Sequence, residues 1–342
     1  MPQAKLTEYC ATLTSSARPN EAPGMDSSIV ATRFPGLYNI SSTDFFYPNV
    51  ECPYMQGRIA ACNVLSDLYA TGVVDVDTVL MILGVSVDMD ETMRDVVSVE
   101  LMRGFNEAVR ECGASVTGGQ TVKNPWPMVG GVATATVKES EMVRPGGARP
   151  GDVLVLTKPL GTQVAVNLWQ WRGEVTENGK RNWPKVFPSV IPSEAVAGAV
   201  YDTACRFMGR LNKRGAICMH AHGARAATDV TGFGLLGHAT NLAQHTENVP
   251  VLFQFHTLPC LAHCVAVDEA IGGGFGLLRG SSAETSGGLL VALPSHAAAT
   301  AFCSDMKQSG ENAWIVGTVT SPPEGAGSGA VIVPGVQIIH VS

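Results

Sequence analysis

The chain has 342 residues, 45% of them hydrophobic and 15% charged, enough to bury one large core or two ordinary ones. With 30 acidic against 23 basic side chains, net −7, it lacks the broad cationic surface that nucleic-acid phosphates demand, which argues against nucleic acid as a partner. No run approaches the roughly 20 apolar residues that span a bilayer, and the opening Met1 to Glu8 carry no secretory apolar segment, so a soluble cytoplasmic protein without a membrane partner is expected.

Strand and helix signals then alternate in two runs. Gly36 to Thr43 predicts a strand, Pro53 to Ala70 a helix stopped by Gly72, and Val79 to Ser86 a buried strand. Met93 to Cys112 predicts a second helix, with Val97, Leu101, Phe105 and Val109 on one face and Gly113 as its stop. The extended pair Ser115-Val116 leads into a turn at Thr117-Gly118-Gly119-Gln120-Thr121, and Val129 to Val137 follows as a strand. Turn formers cluster from Arg144 to Gly151, so the boundary is placed there, with an N-terminal domain over 1–148 and a C-terminal domain over 149–342. The second run has strands at Asp152 to Thr157, Val251 to Phe255, Leu289 to Leu293, Trp314 to Val319 and Val331 to Val333, and a helix near Glu194 to Leu211. The mixture predicts two α+β domains rather than one doubly wound sheet.

Nine cysteines, an odd number scattered along the chain, read as reduced thiols. The densest group, His256, Cys260, His263 and Cys264, lies in an apolar stretch with no second ligand pair, and is read as packing rather than zinc.

Three aspartates sit at breaks in the chain: Asp26 after Gly24-Met25, Asp67 in Asn63-Val64-Leu65-Ser66-Asp67, and Asp229 in Thr228-Asp229-Val230-Thr231-Gly232. Hard carboxylate oxygens so placed suit magnesium held against a nucleotide's phosphates. Asn63 and Asp67, four residues apart on the first helix, share a face, while Ile59, Val64, Leu65, Leu68 and Tyr69 supply its apolar side. For one such aspartate a solvated helix charge is the plainer reading; the recurrence favours a site. Asp44, before Phe45-Phe46-Tyr47, is expected at a strand exit, where ligands commonly bind. The Gly118-Gly119 pair lets backbone N–H groups approach an anion, with Gln120 and the Thr121 hydroxyl beside it, although paired glycines also make plain turns.

Two other nucleotide signatures fail. The chain has no Gly-x-x-x-x-Gly-Lys-Ser/Thr cradle. Gly232-Phe233-Gly234-Leu235-Leu236-Gly237 fits the dinucleotide pattern literally, yet His256 follows the next strand where an acid belongs, and Glu247 precedes it. Asp229 and Thr231 instead suit metal and phosphate at a helix start. Lys158, Lys123 and Arg279 are as readily surface charges as phosphate contacts, and stay outside the site.

Taken together, Ser42-Thr43-Asp44-Phe45-Phe46-Tyr47-Pro48, Gly57-Arg58-Ile59-Ala60, Asn63 to Ala70, Thr117 to Thr121, Leu156 to Thr162, Thr228 to Gly234 and Glu284-Thr285-Ser286-Gly287-Gly288 resemble, in order, the motifs of the selenophosphate synthetases, or selenide, water dikinases. The resemblance implies a two-domain aminoimidazole-ribonucleotide-synthetase-like α+β fold whose N-terminal domains pair into a central β-barrel in a homodimer, with ATP at the interface. It implies the reaction of ATP, selenide and water to selenophosphate, AMP and phosphate, supplying selenocysteine synthesis, with the proteins of that synthesis implied as partners. Asp26, Asp67 and Asp229 match the family's Mg2+ ligands. Asp44, Gly118, Gly119, Gln120 and Thr121 match its nucleotide contacts, Gly24 and Met25 line the same phosphate loop, and Asn63 shares the face of Asp67. The family also carries a glycine-rich segment with a cysteine or selenocysteine followed by a lysine; here Cys10 has no glycine-rich surround and Lys5 precedes it, so no catalytic nucleophile is assigned. A truncated core with impaired activity is therefore expected, the alternative being an inactive paralogue that binds or regulates.

Overall fold

The computed structural model describes residues 26–246 and 249–342, and among these the strands form two sheets. The first contains β1 (Ser28–Ala31), β2 (Leu37–Phe46), β3 (Thr78–Ser86), β4 (Val116–Asn124) and β5 (Met128–Lys138), in the order β1-β2-β5-β3-β4. Every neighbouring pair is antiparallel except β3 and β4.

One face of this sheet is covered by α1 (Pro53–Ala70) and α2 (Glu91–Glu111). Alternation along the strands explains the choice. In β2 Ile40 and Ser42 are buried, and in β3 Val79, Met81 and Leu83 are buried, while Phe45 and Leu80 on the opposite face are exposed. The uncovered face also carries Val122 of β4, and β4 is exposed over almost its whole length.

Proline at the first position starts α1, and the helix is buried along most of its length because it lies between the two halves of the molecule. It packs on β2, β5 and α2 on one side and, on the other, on the strand Ala226–Asp229 and the helices Glu194–Met208 and Lys213–Ala221. Contact with α2 is backbone to backbone: a Cβ on Gly57 would stand 2.0 Å from the Leu101 carbonyl oxygen, and one on Gly104 1.8 Å from that of Tyr54.

The second sheet contains β6 (Val153–Leu156), β7 (Ala226–Asp229), β8 (Leu252–Leu261), β9 (Leu289–Leu293), β10 (Trp314–Thr320) and β11 (Gly329–Val341), ordered β11-β8-β10-β6-β9-β7. Helices α3 (Thr162–Trp171), α4 (Glu177–Val186), α5 (Glu194–Met208), α6 (Lys213–Ala221), α7 (Gly234–Gln244), α8 (Cys264–Ala270) and α9 (His296–Gln308) surround it. The runs Val-Leu-Val-Leu of β6 and Leu-Leu-Val-Ala-Leu of β9 are apolar without interruption because both faces are buried. Leu154, Leu156, Leu290 and Ala292 pack into the second half's own core. Val153, Val155, Leu289, Val291 and Leu293 face the other way and join the core built on α1 and the first sheet.

Two sequence expectations change. Thr117 to Thr121 is not a turn but lies within the edge strand β4, where Gly119 takes φ +146 and a Cβ would meet the Met81 carbonyl oxygen at 1.9 Å. Glycine there serves close strand pairing rather than chain reversal. Asp44 is not at a strand exit: β2 runs on to Phe46, and Asp44 stands opposite Gly131 of β5.

If the α1–α2 contact sets the packing of the first half, Gly104→Ala should destabilise the fold by about 2 kcal/mol or more through overpacking, read as a lower urea midpoint. An unchanged midpoint would mean that the helices separate freely.

Candidate functional site

The aspartates singled out in the sequence converge from four directions. Asp67 comes from the last turns of α1, Asp229 ends β7, Asp26 precedes β1, and Asp44 lies in β2. One oxygen from each of Asp26, Asp67 and Asp229 lies within 4.8 Å of the others. Octahedral magnesium, with bonds of about 2.1 Å, holds its ligand oxygens about 3 to 4 Å apart, so these carboxylates can close on it with small movements.

Each carboxylate is held by one neighbouring hydroxyl. Ser42 Oγ donates to Asp67 Oδ2 at 2.5 Å, Ser66 Oγ to Asp229 Oδ2 at 2.6 Å, and Thr228 Oγ1 to Asp26 Oδ2 at 2.6 Å. Asp229 Oδ1 is buried without a hydrogen-bond partner, a costly arrangement unless something cationic faces it. A hard divalent cation fits this donor set: three carboxylate oxygens, with no soft ligand among them.

The electrostatics agree. Burial, reinforced by the Asp229 charge, pushes Asp26 up to about 8 and Asp44 up to about 6. Burial raises Asp229 to about 6, and burial with the charges of Asp229, Asp44 and Asp26 holds Asp67 well above the usual carboxylate range. The Asp67 carboxyl beside Asp44 partly offsets the rise of Asp44. His238, buried beside the cluster with Nδ1 3.9 Å from Asp26 Oδ1, is pushed down to about 4 by burial and supplies no counter-charge.

Asn63 is buried, and its side-chain oxygen accepts from the Ser286 backbone N–H at 3.2 Å, so it ties α1 to the Glu284–Gly288 loop. Gly118, Gly119, Gln120 and Thr121 are not brought to the aspartates. They lie on β4, three strands from β2, about 14 Å away at normal strand spacing. Gly24, Met25, Lys5 and Cys10 lie outside the described residues. Lys123 and Arg279 are exposed, but Lys158, read from the sequence as readily as a surface charge, is buried at 2% exposure. Cys260 lies in β8 and Cys264 begins α8, both buried; His256 and His263 flank them. Among the described residues, no helix is long and apolar enough to cross a membrane.

Sequence reasoning missed the holding hydroxyls of Ser42, Ser66 and Thr228, and the Asn212 amide behind Ser66. Each of those hydroxyls sits within two residues of a singled-out aspartate, a signal that was present in the motifs.

Models of the AIR synthase related proteins match the chain in two parts, the N-terminal-domain model over residues 25–137 and the C-terminal-domain model over residues 149–329. Selenide, water dikinase 3 of Danio rerio is 49% identical over 323 residues, covering 90% of this chain and 70% of that protein. Selenide, water dikinase of Trypanosoma brucei brucei is 44% identical over 355 residues, covering 100% of this chain and 86% of that protein. The solved structure of AaThiL complexed with AMPPCP and TMP superposes with a TM-score of 0.68 at 17% identity, over 98% of this chain and 96% of that one, a likeness of fold. The two-part α+β architecture expected from the sequence is thus the fold of this chain.

The raised carboxyls set a sign for pH dependence. Their folded-state affinity for protons exceeds the unfolded one, so their contribution to stability is greatest at acid pH and falls as pH rises through about 6, for Asp44 and Asp229, towards about 8, for Asp26. A cation competes with those protons. The rise in thermal midpoint on adding Mg2+ should therefore be larger at pH 8 than at pH 5.5, and Asp229→Asn should flatten the difference.

Proposed function

The chain belongs to the selenide, water dikinase family, and on that premise we propose that it makes selenophosphate from selenide, with ATP and water giving AMP and phosphate as the other products. The observation that carries this reading is the trio of carboxylates, each with one oxygen fixed by a hydroxyl, and Asp229 Oδ1 left bare. Phosphoryl transfer asks a protein mainly for alignment and charge neutralisation, and this arrangement supplies fixed oxygens at a single point.

Asp26, Asp67 and Asp229 would hold Mg2+. When bound, the ion neutralises phosphate charge and so lets an anionic pocket accept ATP. The protein's own part is placement. Ser42, Ser66 and Thr228 hold the carboxylates from behind, and Asp44, on the covered face of the sheet, stands beside Asp67 at the edge of the same cluster.

Gly118, Gly119, Gln120 and Thr121 enter this reading through a second copy. We assign the uncovered face of the first sheet, with Phe45, Leu80 and Val122 exposed at 55%, 40% and 46%, to a homodimer interface. There the same β4 segment of the other copy would approach the nucleotide. The product would supply selenocysteine synthesis.

Three measurements test the proposal. Anaerobic phosphorus NMR with ATP, Mg2+ and selenide should show selenophosphate and AMP, either from this chain or from the chain joined to a glycine-rich segment bearing cysteine and lysine. Products from neither would instead support the binding or regulatory paralogue. Asp67→Asn and Asp229→Asn should each lower AMP release by about 100-fold or more while leaving the fold intact by circular dichroism, and a change within about threefold would remove them from the site. Leu80→Glu should convert a dimer to a monomer in sedimentation velocity; a wild-type monomer at high concentration would contradict the interface.

A further inference from the structure

Lys158 follows β6 and is among the largest fully buried side chains of the described residues, yet among those residues no carboxylate neutralises it by direct contact. Its Nζ donates to two backbone carbonyl oxygens, Arg210 O at 2.7 Å and Ser286 O at 2.8 Å. Burial pushes this amine down to about 7, yet either protonation state keeps the two N–H groups that these carbonyls need, so what it holds together is informative.

Both carbonyls belong to segments that converge on Asp229. Two residues beyond Arg210, the Asn212 side-chain amide donates to Gly287 O at 2.8 Å and to Ser66 Oγ at 2.9 Å. Because Ser66 Oγ accepts from Asn212, its own proton is free to go to Asp229 Oδ2. The chain of bonds is therefore directional, and it occupies Oδ2 while leaving Oδ1 without a partner. On the other side Ser286, held in the left-handed region at φ +47, donates its N–H to Asn63 one turn before Asp67 on α1. Gly287 and Gly288 admit no side chain: a Cβ would stand 1.9 Å from Val230 O in the first case and 2.3 Å from Lys158 N in the second. The loop is thus wedged against Lys158 and the strand that bears Asp229.

We propose that Lys158 is a positioning residue of the cation site, its amino group clamping the Arg210 segment to the Ser286–Gly288 loop so that Asn212 and Ser66 fix the Asp229 carboxylate with Oδ1 free for the ion. The inference rests on reading Asp26, Asp67 and Asp229 as that site. Replacing Lys158 by methionine keeps the apolar stem but removes the terminal nitrogen, leaving the buried Ser286 carbonyl and the half-buried Arg210 carbonyl without that donor, which loosens the loop and the Asn212 amide together. Partners one shell behind a metal's ligands commonly change its affinity by about 10- to 100-fold.

The test is calorimetric titration of Mg2+ into the full chain saturated with a non-hydrolysable ATP analogue, for wild type, Lys158→Met, Ser66→Ala and the double variant. Lys158→Met is expected to weaken Mg2+ by about 10-fold or more, and the double variant to be little worse than the weaker single one, because both act through Asp229. Unchanged Mg2+ affinity in a folded Lys158→Met, or losses that simply add, would overturn the clamp. Should Lys158→Met fail to fold, Asn212→Ala decides, with the same expected loss and the same contrary outcome. If wild type itself binds no Mg2+, the cation-site reading falls, whatever Lys158 does.

Discussion

Four carboxyl groups, Asp26, Asp44, Asp67 and Asp229, crowd into one largely buried place, and their mutual repulsion is the constraint on which the arrangement around them depends. Burial alone lifts each of them, and Asp229 adds to the lift on the other three. Only protons or a cation can relieve such a cluster. The protein retains it against that cost by giving each of the three convergent carboxylates a hydroxyl partner. Those hydroxyls hold geometry without adding charge, so the charge deficit remains for whatever binds.

The fold exists around this point. Helix α1 runs between the two sheets and presents consecutive residues to opposite halves: Ser66 reaches Asp229 at the end of β7, and Asp67 meets Ser42 on β2. A rigid helix placed by the Gly57 and Gly104 backbone contacts therefore sets the distance between ligands that come from both halves. The shared core, in which one face of β6 and β9 packs into the first half, resists the hinge motion that would separate them.

Much of this could be read from the chain alone. The helix Pro53–Ala70 and the strand Leu289–Leu293 lie where their apolar pattern and stop signals put them, and Met93 to Cys112 differs from α2 by two residues at its start and one at its end. Asp67 and Asn63 were legible because a helix places residues four apart on one face. What stayed hidden depended on distant partners. Lys158 reads as readily as a surface charge as a phosphate contact, and its burial is decided by carbonyls 52 and 128 residues away. The glycines of β4 read as a turn because local rules cannot distinguish a reversal from a close approach to Met81. Ser66 stands next to Asp67 in the sequence, yet the aspartate it holds is Asp229, 163 residues further on.

The central claim, that Asp26, Asp67 and Asp229 jointly hold a divalent ion against a nucleotide, is most directly tested by pulsed electron paramagnetic resonance of Mn2+ with the chain and a non-hydrolysable ATP analogue. The account predicts one tightly held ion coupled to the nucleotide's phosphorus nuclei, with the signal lost in Asp229→Asn. Mn2+ that couples to phosphorus equally well in Asp229→Asn, or that stays as the free nucleotide complex with the wild-type chain, would contradict it.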